Sequence, residues 1–257
     1  MSETNQAVVT DIRDGVGVMT LNRPEKFNCI STALLDGIDT AMDRFEHDQT
    51  VRAVLLRAEG KAFCTGADLN EVLERRDAEA LAPYIAHIHR ILRRLEASDL
   101  PVIAAVQGLC LAGGIEIMLA CDIVFAGQAA RIGDQHAQYG LVPVGGGSQR
   151  LPRIVGLRRA LDLMFRLEPE EAQAWGLVNY VTEDEVLDDR ARAYCYDLIQ
   201  KSRAGLAYMK QISRQGLEGP LDTGLQLEEK AAVIALLGAD TTEGLNAFQM
   251  RRTPNFR

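Results

Sequence analysis

Apolar positions along this chain keep two periods, one of two residues and one of about three and a half. Ala7 to Ile12 and Val16 to Leu21 read as strands, joined through Asp14-Gly15, a dipeptide suited to a two-residue hairpin. Leu34, Leu35, Ile38, Met42 and Phe45 then recur at helical spacing behind Ser31, a predicted N-cap. Val51 to Leu56 and Val102 to Val106 are buried-type apolar runs, as a strand covered on both faces requires. Between them, Leu81, Tyr84, Ile85, Ile88, Ile91, Leu92 and Leu95 form one stripe of a helix over 78–97, which Asp99-Leu-Pro101 ends. Ile123 to Ala126 and Leu177 to Val181 read as further strands. Helices are predicted at 157–166 and 170–175, with Pro169 suited to a first helical position and Gly176 to a stop. Beyond 183 only helices are predicted, over 184–202, 205–215, 221–237 and 242–252. This change of pattern divides the chain into a core, 1–190, and a C-terminal helical region, 191–257.

Small residues interrupt the pattern in the same way twice. After the strand at 51–56 comes Lys61-Ala-Phe-Cys-Thr-Gly-Ala-Asp68, with Gly66 and Ala67 as a turn of minimal bulk. After the strand at 102–106, Gly108 breaks the run, and Ala112, Gly113 and Gly114 lead into a helix from Ile115 to Ala120. A strand, a small-residue turn and a helix start leave backbone N–H groups free at the positive end of the helix. Such a turn holds an anion or a developing oxyanion. Two of them side by side can each lend one N–H to one oxygen, which thioester enolate chemistry requires. Glu116 lies in the first turn of the second helix. It reads either as a general acid or base beside that oxyanion or as an acid that merely favours a helix N-terminus.

Composition and charge remove other classes. The formal net charge is −8, and no basic stripe with interleaved aromatics is present, so no nucleic-acid partner is expected. No apolar run approaches the ~20 residues that span a bilayer, so no membrane partner is expected. The first residues, Met-Ser-Glu-Thr-Asn-Gln, have no basic start and no apolar stretch, so no secretion signal is expected. The five cysteines (Cys29, Cys64, Cys110, Cys121, Cys195) form no C-x-x-C pair and have no histidine at metal spacing. They read as reduced thiols of a cytoplasmic protein, and no metal site is expected. Gly15-Val-Gly17 lacks the third glycine of a dinucleotide fingerprint. Gly145-Gly-Gly-Ser148 lacks the Gly-Lys-Ser/Thr of a phosphate cradle and reads as a tight loop opening the next helix. Cys64 has no partner base in its neighbourhood and reads as a buried thiol. His47, His87 and His89 read as surface or flank residues. His136, Asp134 and Tyr139 are the titratable groups of the glycine-rich stretch at 130–151. His136 is either an acid/base or a loop residue bonded to backbone; Asp134 and Tyr139 are structural groups or a second proton donor.

In this order, the motifs resemble the enoyl-CoA hydratase/isomerase (crotonase) superfamily. The resemblance runs through Asn22-Arg23-Pro24, the Ala-Phe-Cys-Thr-Gly-Ala-Asp68 turn, the Ile103–Ile123 stretch and Pro143 to Arg150-Leu151. It continues through Ala174-Trp175-Gly176-Leu177-Val178, Glu243-Gly244-Leu-Asn-Ala-Phe248 and Arg251-Arg252. It implies an α/β fold, a crotonase-like spiral of ββα units with a C-terminal helical trimerisation region, assembled as a homotrimer or hexamer. It also implies an acyl-CoA substrate with no metal or redox cofactor, coenzyme A entering as part of the substrate. By position, the N–H groups of Ala67 and Gly113 are expected to hold the thioester oxygen. Asp68 is expected beside the substrate. Phe248 and Arg251 are expected to approach the coenzyme A nucleotide from a neighbouring subunit. Glu116 matches the first of the hydratases' two catalytic glutamates, and His136 stands where the second falls. Val144 stands where isomerases of the family often place an Asp, and the segment Met164–Pro169 is shortened. The reading is therefore hydration of a 2-enoyl-CoA or the reverse dehydration, beside isomerisation, acyl-CoA hydrolysis, or acyl-CoA binding without catalysis.

Overall fold

The structure is a computed structural model that describes residues 6–163 and 166–256. The chain opens with β1 (Val8–Arg13) and β2 (Val16–Leu21), an antiparallel hairpin. Asp14 and Gly15 turn it with φ of 49° and 83°, the left-handed pair a tight hairpin needs. Next is α1 (Thr32–His47), whose first turn is capped by the Ser31 hydroxyl accepting from the Leu34 N–H. Then come β3 (Ala53–Ala58), β4 (Ala62–Cys64), α2 (Leu69–Glu74) and α3 (Ala78–Ala97). The same unit repeats as β5 (Val102–Val106), β6 (Leu109–Leu111) and α4 (Gly113–Leu119). It repeats again as β7 (Ile123–Gly127), β8 (Arg131–Gly133), α5 (Gly147–Val155) and α6 (Leu157–Asp162). The core closes with β9 (Arg166–Leu167), α7 (Pro169–Ala174), β10 (Tyr180–Thr182) and α8 (Leu187–Ile199). Three helices follow, α9 (Arg203–Gly216), α10 (Leu221–Leu236) and α11 (Ala239–Gln249).

Each ββα turn of this spiral gives one strand to each of two sheets. The larger sheet has the order β1-β2-β3-β5-β7-β10, parallel apart from β1. The smaller has the order β4-β6-β8-β9, with β4, β6 and β8 parallel. Alternation along the large sheet sends Met19, Val54, Leu56, Val102 and Ala104 into the main core with α1 and α3. Val18, Leu55, Ile103 and Phe125 face the other way, onto Leu187, Ala191 and Cys195 of α8. Helix α8 therefore crosses the division expected near residue 190 and covers the sheet.

Differences from the sequence reading have local causes. Strands β4, β6 and β8 are absent from it because three residues show no period. Leu177 and Val178 do not start a strand. Their N–H groups return to the Ala172 carbonyl at 2.9 and 3.3 Å, and their side chains enter the core, so the strand begins at Tyr180. Helix α6 ends at Asp162, short of the expected 166. Met164 and Phe165, in the segment expected to be shortened, lie outside the described residues.

Candidate active site

The site is built where three parallel strands end side by side. In the small sheet, Cys64 of β4 pairs with Cys110 of β6, and Leu111 of β6 pairs with Gly133 of β8. Just beyond these strand ends come the corner Gly66-Ala67, the corner Ala112-Gly113, and Asp134 to His136. Adjacent parallel strands bring these segments, distant in sequence, to one edge, the usual place for a ligand in such sheets.

The two corners touch. A Cβ built on Gly66 would stand 3.0 Å from the Ala112 Cβ and 3.5 Å from the Gly113 nitrogen. Gly66 has φ of +103°, and its carbonyl accepts from the Ile30 N–H at 2.7 Å. The Ile30 carbonyl accepts in turn from the Asp68 N–H at 2.7 Å and from the Tyr84 hydroxyl at 3.0 Å. Ala112 has φ of 50° and ψ of −119°, and its N–H donates to the Gly133 carbonyl at 3.0 Å. Both corners are thus pinned by backbone bonds. Among the described residues, neither the Ala67 nor the Gly113 N–H donates to an acceptor within the chain.

Glu116 follows in α4 and is 1% exposed. Its Oε1 accepts from the Gly145 N–H at 2.7 Å and the Gly147 N–H at 2.8 Å. Its Oε2 is buried with no partner among the described residues. One oxygen therefore fixes the carboxylate, and the other is left to act. Burial raises the pKa of Glu116; the Gly147 N–H, the charge of His136 and the Gly145 N–H oppose that, and the net direction is upward. The loop that holds Glu116 is itself braced. Arg150 donates to the Gly145 carbonyl at 2.6 Å and pairs with Glu96 of α3 at 2.7 and 2.5 Å.

His136 is 7% exposed and lies in a short 3₁₀ turn, His136–Tyr139. Its Nδ1 is 2.7 Å from Asp134 Oδ1, and its backbone N–H donates to the same oxygen at 3.0 Å. Burial works to lower the pKa of His136; the bond to Asp134 and the charges of Asp134 and Glu116 outweigh it, and the pKa is raised. Tyr139 is exposed.

The remaining candidates divide between the first corner and the C-terminal helices. Asp68 pairs with Arg23 at 3.0 Å and accepts from the Asn70 N–H at 3.2 Å, so its carboxylate binds one corner together and caps α2. Phe248, 83% exposed on α11, and exposed Arg251 just beyond it lie in the C-terminal helical region. Cys64 is buried, and burial pushes its thiol up to about 12, where it is protonated and unreactive. The Gly145–Ser148 loop opens α5, and its N–H groups hold a carboxylate of this chain. That pairing escaped the sequence reading because Glu116 and Gly145 are far apart in sequence; the one available signal was a run of glycines before a helix.

The sequence model of the enoyl-CoA hydratase/isomerase family matches residues 11–257. The chain is 34% identical over 251 residues to the mitochondrial methylglutaconyl-CoA hydratase of Mus musculus, covering 95% of this chain and 80% of that protein. It is 33% identical to the 1,2-epoxyphenylacetyl-CoA isomerase of Escherichia coli, covering 97% of each. The crystal structure of an enoyl-CoA hydratase from Bacillus anthracis superimposes with a TM-score of 0.93 at 32% identity, covering 98% of this chain and 99% of that one.

Proposed function

The chain belongs to the enoyl-CoA hydratase/isomerase family, and from that premise we propose that it adds water to a 2-enoyl-CoA, or removes it in reverse, using Glu116 and His136. The crotonase fold and acyl-CoA hydratase/isomerase activity come with membership. The observation that carries the hydration reading is the buried Glu116 carboxylate, held by Oε1 with Oε2 unpartnered.

In this reading the Ala67 and Gly113 N–H groups take the thioester oxygen and stabilise the enolate that forms there. Glu116 Oε2 accepts a proton from water as the water oxygen bonds to the β carbon. Protonated His136 gives its proton to the α carbon, and transfer from Glu116 back to His136 resets the pair. The coenzyme A arrives with the substrate, and no other cofactor enters the scheme. Asp68 holds the first corner in shape beside the substrate. Isomerisation needs one base rather than a pair and is the second reading, which the isomerase relative favours. Assays with 2-enoyl-CoA and 3-enoyl-CoA separate the two. Turnover of the first to a 3-hydroxyacyl-CoA is expected; a response to the 3-enoyl compound alone would transfer the site to isomerisation.

We assign the acyl-CoA site to the core, 1–190, and assembly to the helices of 191–257 that follow α8. Helices α9 and α10 bury no residue within one chain, and Leu217, Leu237 and Phe248 stand exposed. The accessible surface is 14231 Å², against ~11,000 Å² for a compact monomer of this length. A homotrimer or hexamer would cover such faces and bring Phe248 and Arg251 to a neighbour's nucleotide. No helix among the described residues is long and apolar enough to cross a membrane, and a cytoplasmic location is part of the proposal.

A further inference from the structure

We propose that Asp134 is a positioning residue for the acid/base: it accepts the Nδ1 proton of His136 and so leaves Nε2 as the atom that transfers protons. The mechanistic part of this rests on the hydration reading; the geometric part does not. An ionised carboxylate only accepts hydrogen bonds, so the 2.7 Å contact makes Nδ1 the donor. Asp134 is ionised, because the bonds and charge from His136 outweigh the effect of burial and hold it below the ordinary carboxylate range. The neutral ring then keeps its hydrogen on Nδ1, the less common tautomer in water, and Nε2 is free of partners among the described residues.

The backbone is shaped for this contact. Gln135, between the two side chains, has φ of 59° and ψ of 0°. A left-handed conformation is unfavourable for a residue with a Cβ and persists where its surroundings enforce it. Here it folds the chain so that one Asp134 oxygen receives both the backbone N–H and the ring N–H of His136. The other end is anchored too. Gly133 holds the Ala112 corner through its carbonyl, and the Asp134 N–H donates to the Leu163 carbonyl at 3.3 Å. The dyad is therefore fixed in register with the oxyanion corner. Among the described residues, two titratable groups act on the ring, Asp134 from its own turn and Glu116 from α4, and both favour the protonated form.

The sign of the pH dependence follows. A raised His136 keeps its proton to higher pH, so hydration is lost as pH rises through that raised value. Glu116, also raised, loses its basic form as pH falls through its own, which gives a bell-shaped profile. In Asp134→Asn the charge is gone while the shape is kept. We expect kcat about 10²-fold lower, a KM changed far less, and an alkaline limb of kcat/KM moved to lower pH. A merely structural role would lower kcat and leave the limb in place, which overturns the proposal.

Nitrogen-15 NMR of the histidines gives a readout that needs no substrate, with His136→Gln identifying the resonance. The neutral His136 of the unaltered protein should carry its proton on Nδ1, and its titration should fall in Asp134→Asn. A proton on Nε2, or a titration unmoved by the substitution, overturns the proposal. If Asp134→Asn does not fold, the tautomer in the unaltered protein decides alone. If the tautomer and shift are found but 2-enoyl-CoA is not hydrated, the dyad stands and the hydration reading falls.

Discussion

The two corners of the site each present a free N–H, and they do so with opposite parts. In each, a residue at positive φ comes just before the free N–H: Gly66 before Ala67, and Ala112 before Gly113. At the first corner glycine adopts this conformation without strain. At the second an alanine does, with φ of 50° and ψ of −119°, a conformation costly for any residue with a Cβ. The difference lies in the contact between them. The Ala112 methyl occupies the space that Gly66 leaves empty, since a Cβ on Gly66 would meet it at 3.0 Å. One corner supplies the hole and the other the peg. Two loops bearing N–H groups do not come together by themselves; their complementary bulk sets the spacing.

The largest expected effect lies where the two helices differ: Glu71 of α2 is spent on the Thr32 N–H and hydroxyl, whereas Glu116 of α4 is buried with one oxygen unpartnered among the described residues. Glu116→Gln keeps an acceptor for the Gly145 and Gly147 N–H groups and removes the base. Steady-state hydration should show kcat lower by about 10² to 10⁴-fold with the melting temperature within a few degrees. Undiminished turnover would separate the carboxylate from the corners it adjoins.

Next in size is a change in how the second corner seats on the first strand. A Cβ on Gly114 would stand 2.1 Å from the Cys64 carbonyl oxygen, which is backbone and has no rotamer to yield. Gly114→Ala should cost about 3 kcal/mol in denaturant unfolding and weaken activity through both corners. A neutral result would mean that β4 and α4 are less closely seated than the geometry implies.

The smallest effect is the most diagnostic. Gly66→Ala should destabilise by about 1–2 kcal/mol through the clash and the positive φ. Ala112→Gly relieves strain and should be neutral to within about 1 kcal/mol. Together they exchange peg and hole, and the pair should be more stable than the sum by about 1 kcal/mol. Strict additivity in the cycle would show that the corners do not sense each other.

Much of this was legible along the chain, and the reasons are local. Strands β2 and β5 and helix α3 were readable because period and burial coincide: Val102–Val106 is buried at every position, and Tyr84, Ile88, Ile91, Leu92 and Leu95 make one buried face. The small residues of both corners stood out for the same reason, since bulk and backbone freedom are properties of single residues. Asp68 shows the limit. Its position beside Ala67 was plain, but its pairing with Arg23 depends on a residue 45 positions earlier.

The amino-acid sequence by itself determined the strands of the large sheet, the long helices, the two small-residue corners and the presence of Glu116 and His136. Only the tertiary structure decided that β4, β6 and β8 lie side by side, that Gly145 and Gly147 grip one oxygen of Glu116, and that Asp134 and His136 share a hydrogen bond through a left-handed Gln135. The physical reason is range. Propensity and periodicity act over a few residues. Strand order, the partner of a buried carboxylate and the hydrogen-bonding state of a ring are fixed by groups that meet only when the chain is folded.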